Sequence, residues 1–253
     1  MKNIMIIGYG EVGKAIYKAE KEAGNNVKVV DSITTIPEST LDDTKGIDVM
    51  HICIPYSNDF ITHTTYYAKE FNPELIIVNS TVKVGITQKV RDAILEEDCK
   101  YIVHSPIRGV HPNLYEGLLT FVKYVGGDSD SVTAGIEHFL SININAEALG
   151  SFETTELAKI LSTSYYGWNI LFAKECKIMC NHYGLDFDKV YTKPNQTYND
   201  GYTKLGMKHV VRPILTPPEG KIGGHCISPN YELLPGVNLA SDLKQVYRKI
   251  NEK

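Results

Sequence analysis

Short apolar runs alternate with amphipathic stretches over the first 150 residues, a spacing that predicts βαβ units around a mainly parallel sheet. Ile4 to Ile7 reads as the first strand, and Glu11 to Ala23, apolar on one face, as the first helix. Asn26 to Asp31, Val49 to Ile54, Leu75 to Asn79, Tyr101 to His104 and Phe121 to Val125 give further strands. Helices are expected over Asp59 to Glu70, Thr87 to Glu96 and Ser131 to Leu140, and Ala146 to Leu149 closes the sheet region before Gly150. From Glu153 to Tyr183 the pattern becomes one proline-free helical stretch, about 45 Å long at 1.5 Å per residue. That exceeds what a small domain needs, so its wide apolar face predicts a homodimer formed through residues 153–184. Gly184 is the expected C-cap. Short helices and loops follow to Gly206, then a loop over Pro213 to Pro218, and an amphipathic helix from Leu239 to Ile250 ends the chain.

Composition narrows the functional classes. With 253 residues, 43% hydrophobic and 22% charged, the chain has the make-up of a folded globular protein. A formal net charge of -4 and the lack of a basic run give no electrostatic footprint for nucleic acid or an anionic membrane, so neither is expected as a partner. No apolar stretch approaches about 18 residues and the N-terminal run is too short for a signal sequence, so a cytoplasmic protein is expected. Cys53, Cys99, Cys176, Cys180 and Cys226 are odd in number and scattered, as free thiols in a reducing compartment would be. Cys176 and Cys180 lie four apart on a predicted helix with His182 nearby. Core packing explains them better than a metal, because a zinc site wants four convergent ligands, and no metal is expected.

Three motifs carry candidate chemistry. Gly8-Tyr9-Gly10-Glu11-Val12-Gly13 follows a predicted strand and opens a predicted helix. There Gly8 makes the tight turn, Gly10 admits a pyrophosphate and Gly13 permits close helix-strand packing, with the helix N-terminus facing the phosphates. Asp31 stands 18 residues after Gly13 at the end of the second strand, where a carboxylate bonds ribose hydroxyls and repels a 2′-phosphate. NAD is therefore the expected cofactor, on a doubly wound Rossmann-type α/β sheet over residues 1–150, with a smaller all-helical domain over 151–253 joined by the long helix. Cys53-Ile54-Pro55-Tyr56-Ser57 and Asn79-Ser80-Thr81 end later strands, where open sheets bind ligands, so Pro55, Ser80 and Thr81 are candidate cofactor contacts; helix capping is the competing account of Ser80. The loop Ser105 to Pro112 carries Arg108, which either holds an anionic substrate or stands on a solvated surface. Last, Gly223-Gly224-His225-Cys226 sets a thiol beside an imidazole in a flexible turn, as covalent capture of an aldehyde requires, whereas a turn followed by a buried cysteine is the alternative. Lys159, beside an apolar stripe, either snorkels to solvent or stabilises an oxyanion in the cleft.

Taken in order, Gly8-x-Gly10-x-x-Gly13, Ser80-Thr81-Val82 with Gly85, Ser105-Pro106, Glu156-Leu157-Ala158-Lys159 and Gly223-Gly224-His225-Cys226-Ile227 resemble the UDP-glucose/GDP-mannose dehydrogenases. The resemblance implies an NAD-bound enzyme that oxidises a nucleotide-sugar alcohol. Cys226 would be the nucleophile, Lys159 the oxyanion stabiliser and Thr81 a water-positioning group, with Gly223, Gly224 and His225 lining the substrate. Three family groups are replaced: a glutamate by Ile107, an asparagine by Thr163 and an aspartate by Asn230. The family's C-terminal nucleotide-binding domain has no counterpart in the 27 residues after Cys226, so a small substrate, or a second chain supplying that surface, is expected. Two alternatives stand beside this one. A nucleotide-binding homologue without catalysis would serve as a sensor or assembly partner, and a two-electron reductase of the 6-phosphogluconate-dehydrogenase-like group would use Lys159 as its acid.

Overall fold

The computed structural model describes residues 1–32, 46–95, 97–109 and 113–219, with Leu233, Gln245 and Arg248 besides. Of the helix expected from Leu239 to Ile250 only Gln245 and Arg248 are described, and the Gly223–Cys226 turn lies outside the described residues. Seven strands, β1 (Asn3–Ile7), β2 (Asn26–Val30), β3 (Val49–Ile52), β4 (Leu75–Val78), β5 (Tyr101–His104), β6 (Lys123–Gly126) and β7 (Ala146–Gly150), form one sheet. Their spatial order is β2-β1-β3-β4-β5-β6-β7. All neighbouring pairs are parallel except β5 with β6, which meet antiparallel at His104 and Gly126 alone. The sheet is thus mixed, and the order in which strands are added reverses at β1, with β2 on one side of it and β3 on the other. That reversal is a topological switch point, where open α/β sheets bind ligands beyond the strand carboxyl ends.

Both faces of the central strands are covered, which is why β1, β3 and β4 are buried along their whole length, whereas the edge strand β2 alternates. In β1, Ile4 and Ile6 join a core with α1 (Glu11–Glu22), α4 (Leu114–Thr120) and α5 (Ser129–Ser141), whereas Met5 and Ile7 join one with α2 (Phe60–Phe71) and α3 (Ile86–Ala93). Helix α4 falls in a stretch to which the sequence pattern assigns no element. Its close approach depends on Gly117, where a Cβ would stand 2.9 Å from the Arg108 carbonyl oxygen.

Helix α6 (Phe152–Tyr183) runs unbroken for 32 residues. The chain divides into two compact units, Met1–Lys159 and Ile160–Lys253, so the division falls inside this helix. In the second unit Ala173, Cys180, Phe187 and Tyr191 form a small core with Cys176 packed on it, and the Phe187 and Tyr191 rings stack at 4.9 Å. The two cysteines therefore pack as core residues. Gly184 ends α6 at φ 65°, with the Leu185 amide donating to the Cys180 carbonyl at 2.8 Å, a left-handed cap that glycine adopts without strain. A π-turn (Asp188–Thr192), α7 (Lys193–Lys204) and a 3-10 turn (Lys208–Val210) follow.

Candidate functional site

The loops at the carboxyl edge of the first unit hold most of the residues singled out from sequence. Gly8 leaves β1 at φ 95°, and a Cβ on it would meet the Cys53 carbonyl carbon and oxygen at 2.9 Å. At Gly13 a Cβ would stand 2.0 Å from the Gly8 oxygen, whereas one at Gly10 would meet nothing within 4 Å. Two glycines are thus fixed by packing, and the middle one leaves open space in front of the α1 N-terminus. Glu11 and Val12 form the first turn of that helix, which has no side-chain cap. The positive end of a helix dipole suits a phosphate, so the turn fits a dinucleotide. Asp31, just past β2, accepts the Tyr9 amide at its Oδ2 at 2.6 Å. Its carboxylate stands at the turn, where a ribose would be read.

At the end of β4 the Ser80 hydroxyl donates to the carbonyls of Ile52 and Ile54, at 3.2 and 2.6 Å. It ties the β3 end, which leads to exposed Pro55, to the β4 end, which leads to half-buried Thr81. The next loop is held by a residue of α6: buried Glu156 accepts the Gly85 amide at 2.6 Å, the Thr87 amide at 2.8 Å and the Thr87 hydroxyl at 2.6 Å. Glu156 therefore caps α3, whose N-cap residue, Gly85, offers no side-chain acceptor. One helical turn on, Lys159 Nζ donates to the Ile107 carbonyl at 2.8 Å. The lysine neither snorkels free nor lies far from the edge. Ser105, Pro106 and Ile107 are buried, which settles that part of the loop as packed structure and not solvated surface. Arg108 is exposed, with its guanidinium 5.0 Å from the Tyr124 ring centre and 5.7 Å from that of Phe121. Thr163, in the second unit, turns its hydroxyl back on the Ile160 carbonyl of its own helix at 2.9 Å.

Beneath this edge lies a buried polar network that sequence inspection missed. Glu20 on α1 accepts from His51 Nε2 at 3.0 Å and from His138 Nε2 at 2.8 Å on one oxygen, and from Asn25 at 2.6 Å on the other. Burial pushes its carboxyl up, but the hydrogen bonds from His138 and His51 outweigh that and hold it well below the usual carboxylate range. Glu20, His51 and His138 offer the donor set of a metal site. Hydrogen bonding accounts for Glu20 and His51 without an ion: Asn79 Nδ2 donates into His51 Nδ1 at 3.1 Å, so the ring nitrogen facing Glu20 carries the proton. The orientation of the Asn79 amide is fixed in turn by Lys123, whose Nζ donates to Asn79 Oδ1 at 3.1 Å. The available signal was parity. His51 and Asn79 occupy the positions of β3 and β4 that continue Val49 and Leu75, Ile77 on the core face, where a polar residue is unexpected.

His104, fully buried at the end of β5, faces the Thr155 hydroxyl through Nδ1 at 2.8 Å and the Ser80 carbonyl through Nε2 at 3.2 Å. A carbonyl accepts only, so Nε2 carries the proton and Nδ1 accepts. Burial lowers its pKa from 6.5 to about 3, and the charges of Lys123 and Lys159 add to the drop against the opposing pull of the Ser80 carbonyl. His51 is shifted the same way by burial. Unfolding therefore takes up protons as pH falls through 6.5, and the stability present above 6.5 is lost on acidification. Urea unfolding between pH 6.5 and 5.5 is expected to show stability falling by up to about 1.4 kcal/mol per pH unit for each such imidazole. In His104→Gln the slope should drop to about half. An unchanged slope would assign the acid sensitivity elsewhere.

No protein-family model matches the chain. It is 25% identical over 230 residues to the UDP-N-acetyl-D-mannosamine dehydrogenase of Pyrococcus horikoshii, a match covering 84% of this chain and 52% of that protein. The chain thus spans about half the length of the curated relatives it matches. Among solved structures, the UDP-D-ManNAc dehydrogenase from Pyrococcus horikoshii superposes with a TM-score of 0.74 at 20% identity, covering 98% of this chain and 68% of that one. A UDP-glucose dehydrogenase from Pyrobaculum islandicum gives 0.72 at 16% identity, with 98% and 68% covered. At those identities the structures establish the fold, a Rossmann-like α/β dehydrogenase architecture, and the names of the sequence relatives imply a nicotinamide cofactor. The sequence relatives and the fold support a likeness to the UDP-glucose/GDP-mannose dehydrogenases, of whose curated members the chain spans about half the length.

Proposed function

We propose that the chain is an NAD-dependent oxidoreductase acting on an alcohol or aldehyde of a sugar or sugar nucleotide. The observation that carries this is the glycine turn at the β1/β3 switch point, closed by Gly8 and Gly13, open at Gly10 and joined to Asp31. Gly8, Gly10, Glu11, Val12 and Gly13 would hold the pyrophosphate and Asp31 the ribose, with Pro55, Ser80 and Thr81 toward the nicotinamide. NAD, when bound, supplies the hydride acceptor. The protein's part is to hold a substrate oxygen and stabilise charge on it. Lys159, anchored on the Ile107 carbonyl, keeps an ammonium at the edge where an alkoxide or oxyanion forms. Cys226 is assigned as the nucleophile that captures an aldehyde, Gly223, Gly224 and His225 as its turn, and Arg108 as an anion contact. The exposed Leu161, Tyr165 and Phe172 of α6 are assigned to a homodimer face.

The reading with no catalysis draws support from Thr163, whose hydroxyl is turned onto its own helix, and from Ile107, which offers no carboxylate. One experiment separates the readings. NADH formation is followed over a panel of UDP-sugars, free sugars and hydroxy acids. Turnover is expected, with kcat falling by about 100-fold or more in Lys159→Met, the scale typical of losing one oxyanion donor. Cys226→Ser should abolish oxidation at the aldehyde level while leaving a first hydride transfer. Calorimetric NAD binding with no turnover on any panel member would favour the non-catalytic reading. Turnover that survives Cys226→Ala and fails in Lys159→Met would favour the two-electron reductase.

A further inference from the structure

Lys123 is the least expected residue of the core. It lies on β6 on the same face as Val125, which belongs to the core under α1, α4 and α5, and is 2% exposed. An ammonium in such a place is costly unless its donors do something that an apolar side chain cannot. Two are accounted for: Nζ donates to the Ser105 carbonyl at 2.5 Å and to Asn79 Oδ1 at 3.1 Å, and it stands 5.3 Å from the Phe139 ring centre. Through Asn79 and His51 it connects to the Glu20 carboxylate in an unbroken line of hydrogen bonds. The two buried charges are thus joined through two neutral side chains.

The Ser105 carbonyl needs this donor for a topological reason. β5 ends at His104, and its antiparallel pairing with β6 is confined to His104 and Gly126, so no ladder partner from β6 reaches Ser105. The Ser105 amide bonds the Val78 carbonyl at 2.9 Å and its hydroxyl the Tyr124 carbonyl at 2.7 Å, which leaves the carbonyl to Lys123. Pro106 has no N–H, and the Ile107 carbonyl receives Lys159. Two lysines from different elements therefore hold one three-residue segment.

We propose that Lys123 is a positioning residue for Lys159: tied through Asn79 and His51 to Glu20, it fixes the Ser105 carbonyl and so keeps the Ile107 carbonyl on Lys159 Nζ. The importance of this for chemistry rests on the role assigned to Lys159 above; the positioning itself does not. Cys53, Asn79, His51, His104, Lys159 and the Phe139 ring face the Lys123 ammonium. Burial, reinforced by the charge of Lys159, lowers its pKa from 10.5 to about 7 against the opposing pull of Cys53. Loss of its charge near neutral pH weakens its hydrogen bonds and loosens the segment.

Competitive trace acetylation of the whole chain, read by peptide mass spectrometry as the ratio of Lys159 to exposed Lys69, needs no substrate. In the unaltered chain the ratio is expected to step upward as pH passes about 7. In Lys123→Met it should be about fivefold higher than in the unaltered chain at pH 6, the worth of roughly one hydrogen bond, and show no step. Lys123→Gln, which lacks a titrating charge, serves by the same criterion of no step if the methionine variant does not fold. A ratio at pH 6 within about twofold of the unaltered chain in folded Lys123→Met, a step that persists in either variant, or no step in the unaltered chain would each overturn the proposal. Turnover that survives Lys159→Met would instead remove the role of Lys159 and leave the labelling result standing.

Discussion

Gly13→Ala is expected to destabilise the first unit by about 3 kcal/mol or more and to weaken NAD binding by at least about tenfold. The added Cβ would stand 2.0 Å from the Gly8 carbonyl oxygen and 2.9 Å from its carbon. A flexible side chain could swing away from such a contact, but both neighbours here are backbone, and they belong to the turn that α1 must approach. Relief requires α1 to lift from β1, which opens the core around Ile6, Ala15 and Ile16 and displaces the helix N-terminus from its place over the turn. Gly10→Ala is the informative partner. A Cβ at Gly10 meets nothing within 4 Å, so its stability should stay within about 0.5 kcal/mol of the unaltered chain. If the pyrophosphate passes over Gly10, NAD affinity should still fall by about tenfold. Urea unfolding and titration calorimetry on the two variants separate packing from binding. Equal NAD affinity in Gly10→Ala and the unaltered chain would move the cofactor away from this turn.

Glu156→Ala should cost about 4 kcal/mol, among the largest single-residue effects in the first unit. Burial raises the pKa of the Glu156 carboxyl, and the hydrogen bonds from Thr87 and Gly85 oppose that rise. The carboxylate is costly to bury, yet removing it is worse. It would leave two backbone amides at the start of α3 and the Thr87 hydroxyl without their acceptor in the interior. Glu156→Gln keeps the volume and one acceptor but turns an N–H group toward a donor, so about 2 kcal/mol is expected. Because Glu156 fastens the loop after β4 to the helix that carries Lys159, both variants should also loosen Thr81. Hydrogen exchange should then quicken over residues 81–89 more than over β1. An unfolding free energy within about 1 kcal/mol of the unaltered chain in Glu156→Ala would show that the cap is dispensable.

Much of the fold was legible because each signal is local. The central strands β1, β3 and β4 are buried on both faces, so their runs stand out, and the change to a helical period after Gly150 marks the start of α6. Gly8 and Gly13 were legible because the turn demands residues without a Cβ at those positions, whereas Gly10 completes the motif with open space around it. Helix α4 was missed because it is only seven residues long and sits beside a proline-marked loop, too short for a period to declare itself. The sequence pattern also gave no sign that β6 runs against β5. Strand direction is set by how the chain returns through α4, not by the residues of Lys123–Gly126.

At the site, the same division holds. The types and order of Gly8, Gly10, Gly13, Asp31, Thr81 and Lys159 could be read along the chain, because each belongs to a short motif with a mechanical or chemical demand. Their anchoring could not. Glu156 meets Gly85 from 71 positions away, Lys159 meets Ile107 from 52, and His138 meets Glu20 from 118. By itself the sequence determined the βαβ pattern, the glycine turn and the chemical identity of the candidate residues, all of which depend on backbone sterics and near neighbours. Only the tertiary structure decided which buried charges find partners. A carboxylate or ammonium is tolerated in a core through hydrogen bonds that residues distant in sequence supply, and folding alone brings those residues within 3 Å or so of one another.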